Sequence, residues 1–256
     1  MGRLKDFVDF KKLVITVIVV VFLLYCFISG NIFAGNVTDK NIPTREKVLQ
    51  SYPMFDALNK IDPEAFESVY KEIQLMPYKE DKAIQNESIL KVLGFVSAWF
   101  DANLGRLLNS ASDEAVNKYG SHMVRVFDIL LKTDPTGVQC FNITYPGVLG
   151  EIDAFKLKDD TKGMAYDKYY LNSIADSVAR RDKVDRLPVE QIEGAISIIN
   201  NKLVEKYGDY YYTEDPQELA KQPALACGKI LDLFKNIMEL DPHLSAEILR
   251  YMNEPE

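Results

Sequence analysis

The chain has 256 residues, 47% hydrophobic and 27% charged, which is enough apolar material for a real core and too much for a disordered chain. The formal charge is −8, and residues 1–12 are net +2, so the rest of the chain carries −10. A surface this acidic repels phosphate backbones, which argues against nucleic acid as a partner and favours a basic protein.

The first feature in chain order is Leu13–Ile28, LVITVIVVVFLLYCFI, with no charge and one weakly polar residue, Thr16. Its length lies between a signal-peptide core and a spanning helix, and Ile32 and Phe33 extend it. The expectation is an N-terminal transmembrane or signal-anchor helix within residues 1–34, seated in a membrane through residues 13–33. An uncleaved anchor is favoured over cleavage after Ala34. Lys11 and Lys12 at the start of the apolar run place the short N-terminus in the cytoplasm. The remainder is then expected in the cell envelope, tethered to the inner membrane or secreted to the periplasm if cleaved near Ala34. Residues 35–45, GNVTDKNIPTR, read as a linker.

Residues 46–256 read as one acidic, all-helical domain folded as an irregular multi-helix bundle. Phe66, Val69, Tyr70 and Ile73 recur at helical spacing, as do Val116, Tyr119, Met123, Val126, Phe127 and Leu130. Ile192, Ala195, Ile196, Ile199 and Leu203 make the cleanest stripe, closed by Gly208, and Ile230, Leu233, Phe234 and Ile237 make another. Ile89–Phe100, ILKVLGFVSAWF, is apolar on nearly every side and is bounded by charge at Lys91 and Asp101, which predicts a central helix over residues 82–109 anchored by Trp99. Val138–Val148 carries the best extended signal, broken by Pro146 and Gly147.

Asp62-Pro63, Asp215-Pro216 and Asp241-Pro242 each set a capping oxygen before a proline, a helix start. Ser110-Ala111-Ser112-Asp113 is a further start. Three segments align, FDALNKIDP (55–63), FDILLKTDP (127–135) and FKNIMELDP (234–242), and each predicts a helix end followed by a sharp corner.

Motifs that carry chemistry are sparse. Glu87-Ser88, at the entrance to residues 82–109, resembles the Glu-Ser pair of the lytic transglycosylase branch of the lysozyme-like enzymes. That resemblance implies an envelope hydrolase acting on cell-wall glycan, with Glu87 as a general acid raised by apolar surroundings. The glycine-rich, glutamine-bearing motif of those enzymes does not follow, and a solvated first-turn charge is the competing reading of Glu87. His122, beside Ser121, lies in a helical stretch where neighbours point apart, so the two are no nucleophile–base pair.

Tyr207, Tyr210, Tyr211 and Tyr212, followed by Glu214 and Asp215, form a binding candidate: amphipathic aromatics beside acids suit a protein interface. Tyr166, Tyr169 and Tyr170 form a second group, and in both groups half of the rings can pack inward instead. The run from Ala179 to Arg186 reads as solvated mixed charge. Cys140 and Cys227 are a candidate disulfide in an oxidising compartment, or else two separate buried thiols. No Cys/His spacing suggests a metal, no glycine loop suggests a nucleotide, and no cofactor is expected. The sequence thus favours a non-catalytic envelope interaction protein, an immunity, inhibitor or scaffold protein with a basic protein partner. The glycan hydrolase is the alternative, and a small-molecule-binding bundle is a third reading.

Overall fold

The computed structural model describes residues 44–51, 53–75, 82–150 and 169–254, and within them the chain is helical, with no strand. The order is α1 (Arg45–Ser51), α2 (Pro53–Ile61), α3 (Pro63–Leu75), α4 (Lys82–Ser110), α5 (Asp113–Thr133), α6 (Val138–Thr144), α7 (Tyr169–Arg180), α8 (Val189–Tyr207), a 3-10 segment (Gly208–Tyr212), α9 (Pro216–Leu219), α10 (Pro223–Met238) and α11 (Pro242–Met252). The proposed anchor at 1–34 lies outside the described residues, as does most of the linker. Arg45, assigned to the linker from sequence, is the first residue of α1, with its guanidinium over the Phe66 ring and bonded to Glu67 and Asn59. Among the described residues no helix is long and apolar enough to cross a membrane.

The centre of the bundle is α5, not the helix over residues 82–109. Helix α5 packs against α6, α7, α10 and α11. Its Val116, Tyr119, Met123, Val126, Phe127 and Leu130 are all buried. Gly120 lets α10 and α11 come close: a Cβ there would lie 2.4 Å from Met238 Sδ and 2.7 Å from Leu249 Cδ1. Helix α4 has the expected extent, and its described side chains bury one stripe, Val92, Val96, Phe100, Leu104, Leu107 and Leu108, while Phe95 is 52% exposed. Phe95 and Ala98 within the apolar run are exposed, so residue type overstated the burial of that side. Trp99 is half-buried, edge-on to Phe100, and donates from Nε1 to Asp62.

The segment expected to be extended is instead α6. Cys140, Phe141 and Ile143 are wholly buried there, and so are Asn142 and Thr144. Packing against α10 overrides the strand propensity of Val138, Phe141, Ile143 and Thr144. The approach depends on Gly137, at φ +75°, where a Cβ would lie 2.3 Å from Ala224 Cα. That atom belongs to helix backbone and cannot step aside. One turn beyond, Cys140 is joined to Cys227 of α10 by a disulfide with an S–S distance of 2.08 Å, closing a loop 87 residues long in sequence.

Helix starts follow the acid–proline signals. Asp62 accepts from Ala65 N, Asp215 from Gln217 N, and Asp241 from His243 N and Leu244 N. In the Ser110–Asp113 start the capping oxygen belongs to Ser112, which accepts from Ala115 N. The three Phe…Asp-Pro segments differ in the second copy. Pro63 and Pro242 open helices directly, but after Asp134 the chain turns through Gly137 before α6, with Asp134 accepting from Thr136 N and Gln139 N. Phe127 and Phe234, the first residues of two copies, stack at 6.3 Å.

Where α4 ends and α5 begins, Arg250 of α11 is completely buried. Its Nε and Nη2 donate to the carbonyls of Leu108 and Ala111, and its Nη1 lies 2.6 Å from Glu247 and 2.7 Å from Asp113. Glu247, also fully buried, takes further bonds from Arg186 and from Leu187 N. Burial alone would raise this carboxyl, but the bonds from Arg186, Arg250 and Leu187 hold it below its ordinary value. The guanidinium thus reinforces the end of α4, bonding the Leu108 carbonyl, which also accepts from Ala111 N, and the Ala111 carbonyl just past the helix. Arg186, read from sequence as solvated charge, is part of this network.

Candidate functional site

The tyrosine segment wraps one end of α8 and α10, and most of its hydroxyls are used internally. Tyr207 donates to Asp232 at 2.6 Å, Tyr211 to Asn200 at 2.7 Å, and Tyr210 to the carbonyls of Leu219 and Gln222. Burial, together with the Asp232 acceptor, holds the Tyr207 phenol well above its ordinary value. Lys229 sits beneath the segment, donating to the carbonyls of Tyr211 and Thr213 and lying 5.7 Å from the Tyr210 ring centre. Its burial pushes the amine down to about 8, partly offset by Glu214. Three of the four tyrosines therefore brace the 3-10 turn. Tyr212 remains 57% exposed, edge-on to Tyr211, and Asp209, Glu214, Asp215 and Glu218 of the same stretch are exposed as well. The surface part of the candidate is thus an outward aromatic ring among carboxylates, on a braced support.

Of the second tyrosine group, Tyr166 lies outside the described residues and Tyr170 is buried. Tyr170 belongs to a polar cluster that the sequence did not reveal, formed where α7 lies against both α4 and α5. Its ring stacks on His122 at 4.5 Å and lies 5.9 Å from Tyr119. Asp101 of α4 is close enough for its charge to raise both phenols, although burial is the larger cause in each. Three atoms here make no hydrogen bond: Asp101 Oδ1, the Tyr119 hydroxyl and His122 Nδ1. Asn253 favours the ionised form of Tyr119, and one of its amide hydrogens donates at 2.7 Å to Leu249 O.

Burial alone pushes the Asp101 carboxyl up to about 7. His122 is driven down to about 4, mainly by burial and secondarily by the Arg125 guanidinium. At neutral pH the cluster therefore holds a carboxyl poised between its two forms beside an uncharged imidazole and two protonated phenols. Asp101 had read as the charged boundary of an apolar run, and His122 as an isolated helix residue. The one available signal was the coincidence of Tyr119 and His122, three residues apart on a stripe that is otherwise apolar.

Glu87 is the sixth residue of α4, not a first-turn residue, and its side chain is outside the described set. Among the described residues no three His, Cys, Asp or Glu side chains converge to hold a metal ion. No family model, curated protein or solved structure matches the chain.

Proposed function

We propose that this chain is a non-catalytic cell-envelope protein, tethered or exported through residues 13–33, whose acidic domain binds a protein with a basic surface. The observation that carries the reading is the disulfide between Cys140 and Cys227. Persistent structural disulfides belong to oxidising compartments, and an uncharged apolar run near the N-terminus is what delivers a chain there. The binding surface is the edge bearing Tyr212, Glu214 and Asp215. A large ring at low entropic cost supplies contact area, and the carboxylates steer a basic partner. The bonds of Tyr207, Tyr210 and Tyr211 keep that edge rigid, which lowers the ordering cost of association. An immunity or inhibitor protein and an assembly scaffold are the two forms this activity takes.

The test is affinity capture from detergent-solubilised envelopes of the source cell with the full chain as bait. A basic protein retained by the wild type, released by salt and lost with Tyr212→Ala/Glu214→Lys is the expected result. Recovery of the bait alone at every salt concentration contradicts the reading.

A further inference from the structure

We propose that the seam between α4, α5 and α7 is a binding site for a small organic cation, a primary or methylated ammonium, held by the Asp101 carboxylate against Tyr119, His122 and Tyr170. The proposal is independent of the partner-binding edge. It starts from three unbonded atoms, Asp101 Oδ1, the Tyr119 hydroxyl and His122 Nδ1, in one interior region. Tyr119 is 0% exposed and His122 9% exposed, so solvent does not complete their bonding. Native interiors leave few polar atoms unpaired, because each forfeits about 1–3 kcal/mol. The atoms belong to one place: Tyr170 contacts both His122 and Tyr119, and the Asp101 charge is felt at both phenols.

The chemistry of the lining selects the occupant. The ionised Asp101 carboxylate is an acceptor, while the Tyr119 hydroxyl and the neutral His122 imidazole can each donate or accept. An anion is disfavoured by Asp101, and the described residues hold no three-ligand set for a metal ion. Aromatic faces beside a carboxylate are the surroundings in which ammonium groups are stabilised. The charged and titratable groups facing the seam are Asp101 from α4, Tyr119, His122 and Arg125 from α5, and Tyr170 from α7, with the Asn253 amide beyond α11. Arg125 acts on His122, whereas burial is what raises Asp101, which has no cationic partner among the described residues.

The experiment titrates the full, oxidised chain in detergent with methylammonium and, separately, tetramethylammonium chloride at pH 7.5, following the Asp101 carboxyl and His122 ring by NMR. Sodium chloride at equal ionic strength is the control. Saturable shifts at both residues with at least one ammonium salt, absent with sodium, are expected. Asp101→Asn, an isosteric change, is expected to weaken binding at least tenfold with an unchanged helical circular dichroism signal. A second readout needs no variant: affinity rises about tenfold between pH 6 and pH 8 as the carboxyl ionises. Shifts no different from those in sodium chloride, or an affinity that ignores pH, overturn the proposal and leave ordered water as what completes these bonds.

Discussion

At the start of α5, Arg250 has a partner on every side, whereas two turns further along the same helix Tyr119 and His122 hold polar atoms that meet none. Both groups are buried and both join α4 to a later helix. In the first, charges from segments far apart in sequence meet in full and reinforce the end of α4. In the second, a carboxyl, an imidazole and two phenols are gathered without mutual bonds. Satisfied burial of charge is what a fold uses to set geometry, while unsatisfied burial is a cost kept at places that act on something else.

The contrast is broken most forcefully at the satisfied group. Arg250→Ala leaves Glu247 buried without its partner and is expected to cost about 3–5 kcal/mol, read from the urea midpoint. A loss below 1 kcal/mol would mean that the network is not what locks α4 to α11. The disulfide seam supplies an apolar counterpart. Replacing Cys140 and Cys227 together by serine should cost about 2–5 kcal/mol by the loop-closure argument. Gly137→Ala should also destabilise the fold, because Ala224 backbone occupies the space and φ is positive.

At the unsatisfied group the effects are smaller and depend on pH. The folded His122 sits near 4, below its unfolded value, so wild-type stability falls as pH drops from about 6.5 toward 4. His122→Phe removes that loss and should gain about 2–3 kcal/mol on the wild type by pH 4, in paired urea titrations. Asp101 runs the other way. Its folded value, near 7, is raised, so the contribution is fully present below about 4 and is lost as pH climbs through 7. Asp101→Asn should therefore match the wild type near pH 4 and exceed it by about 1–2 kcal/mol at pH 8, after discounting for the part of the side chain that water reaches. Smallest of all, Tyr212→Ala should change stability by less than about 0.5 kcal/mol, since the ring is exposed and its edge-on contact with Tyr211 is the one ring contact it makes among the described residues. A larger loss would place that residue among the bracing tyrosines.

Periodicity made much of the bundle legible. Ile192, Ala195, Ile196, Ile199 and Leu203 are buried as their spacing demands, and α8 ends at Gly208. The acid–proline pairs at 62–63, 215–216 and 241–242 open helices because capping is local chemistry. Illegible were the features decided across distance. Helix α4 looked central because a run of apolar residues reports preference, not how closely neighbouring helices pack against it. Helix α6 looked extended because its β-branched residues carry no trace of α10. Arg186 looked like surface charge, since nothing local shows that it meets Glu247. The tyrosine edge was visible as composition, but which rings brace and which face outward depends on Asp232, Asn200 and the Leu219 carbonyl. The Asp101 group was hidden for the same reason, its members coming from three helices.

One measurement bears on the contrast most directly: a ¹³C NMR titration of the Asp101 side-chain carboxyl in the folded chain, from pH 3 to pH 9. A midpoint about 7 is expected, lowered when an ammonium salt is added. A midpoint at the ordinary aspartate value, about 4, indifferent to ammonium, would contradict it and make the cluster an ordinary hydrated seam.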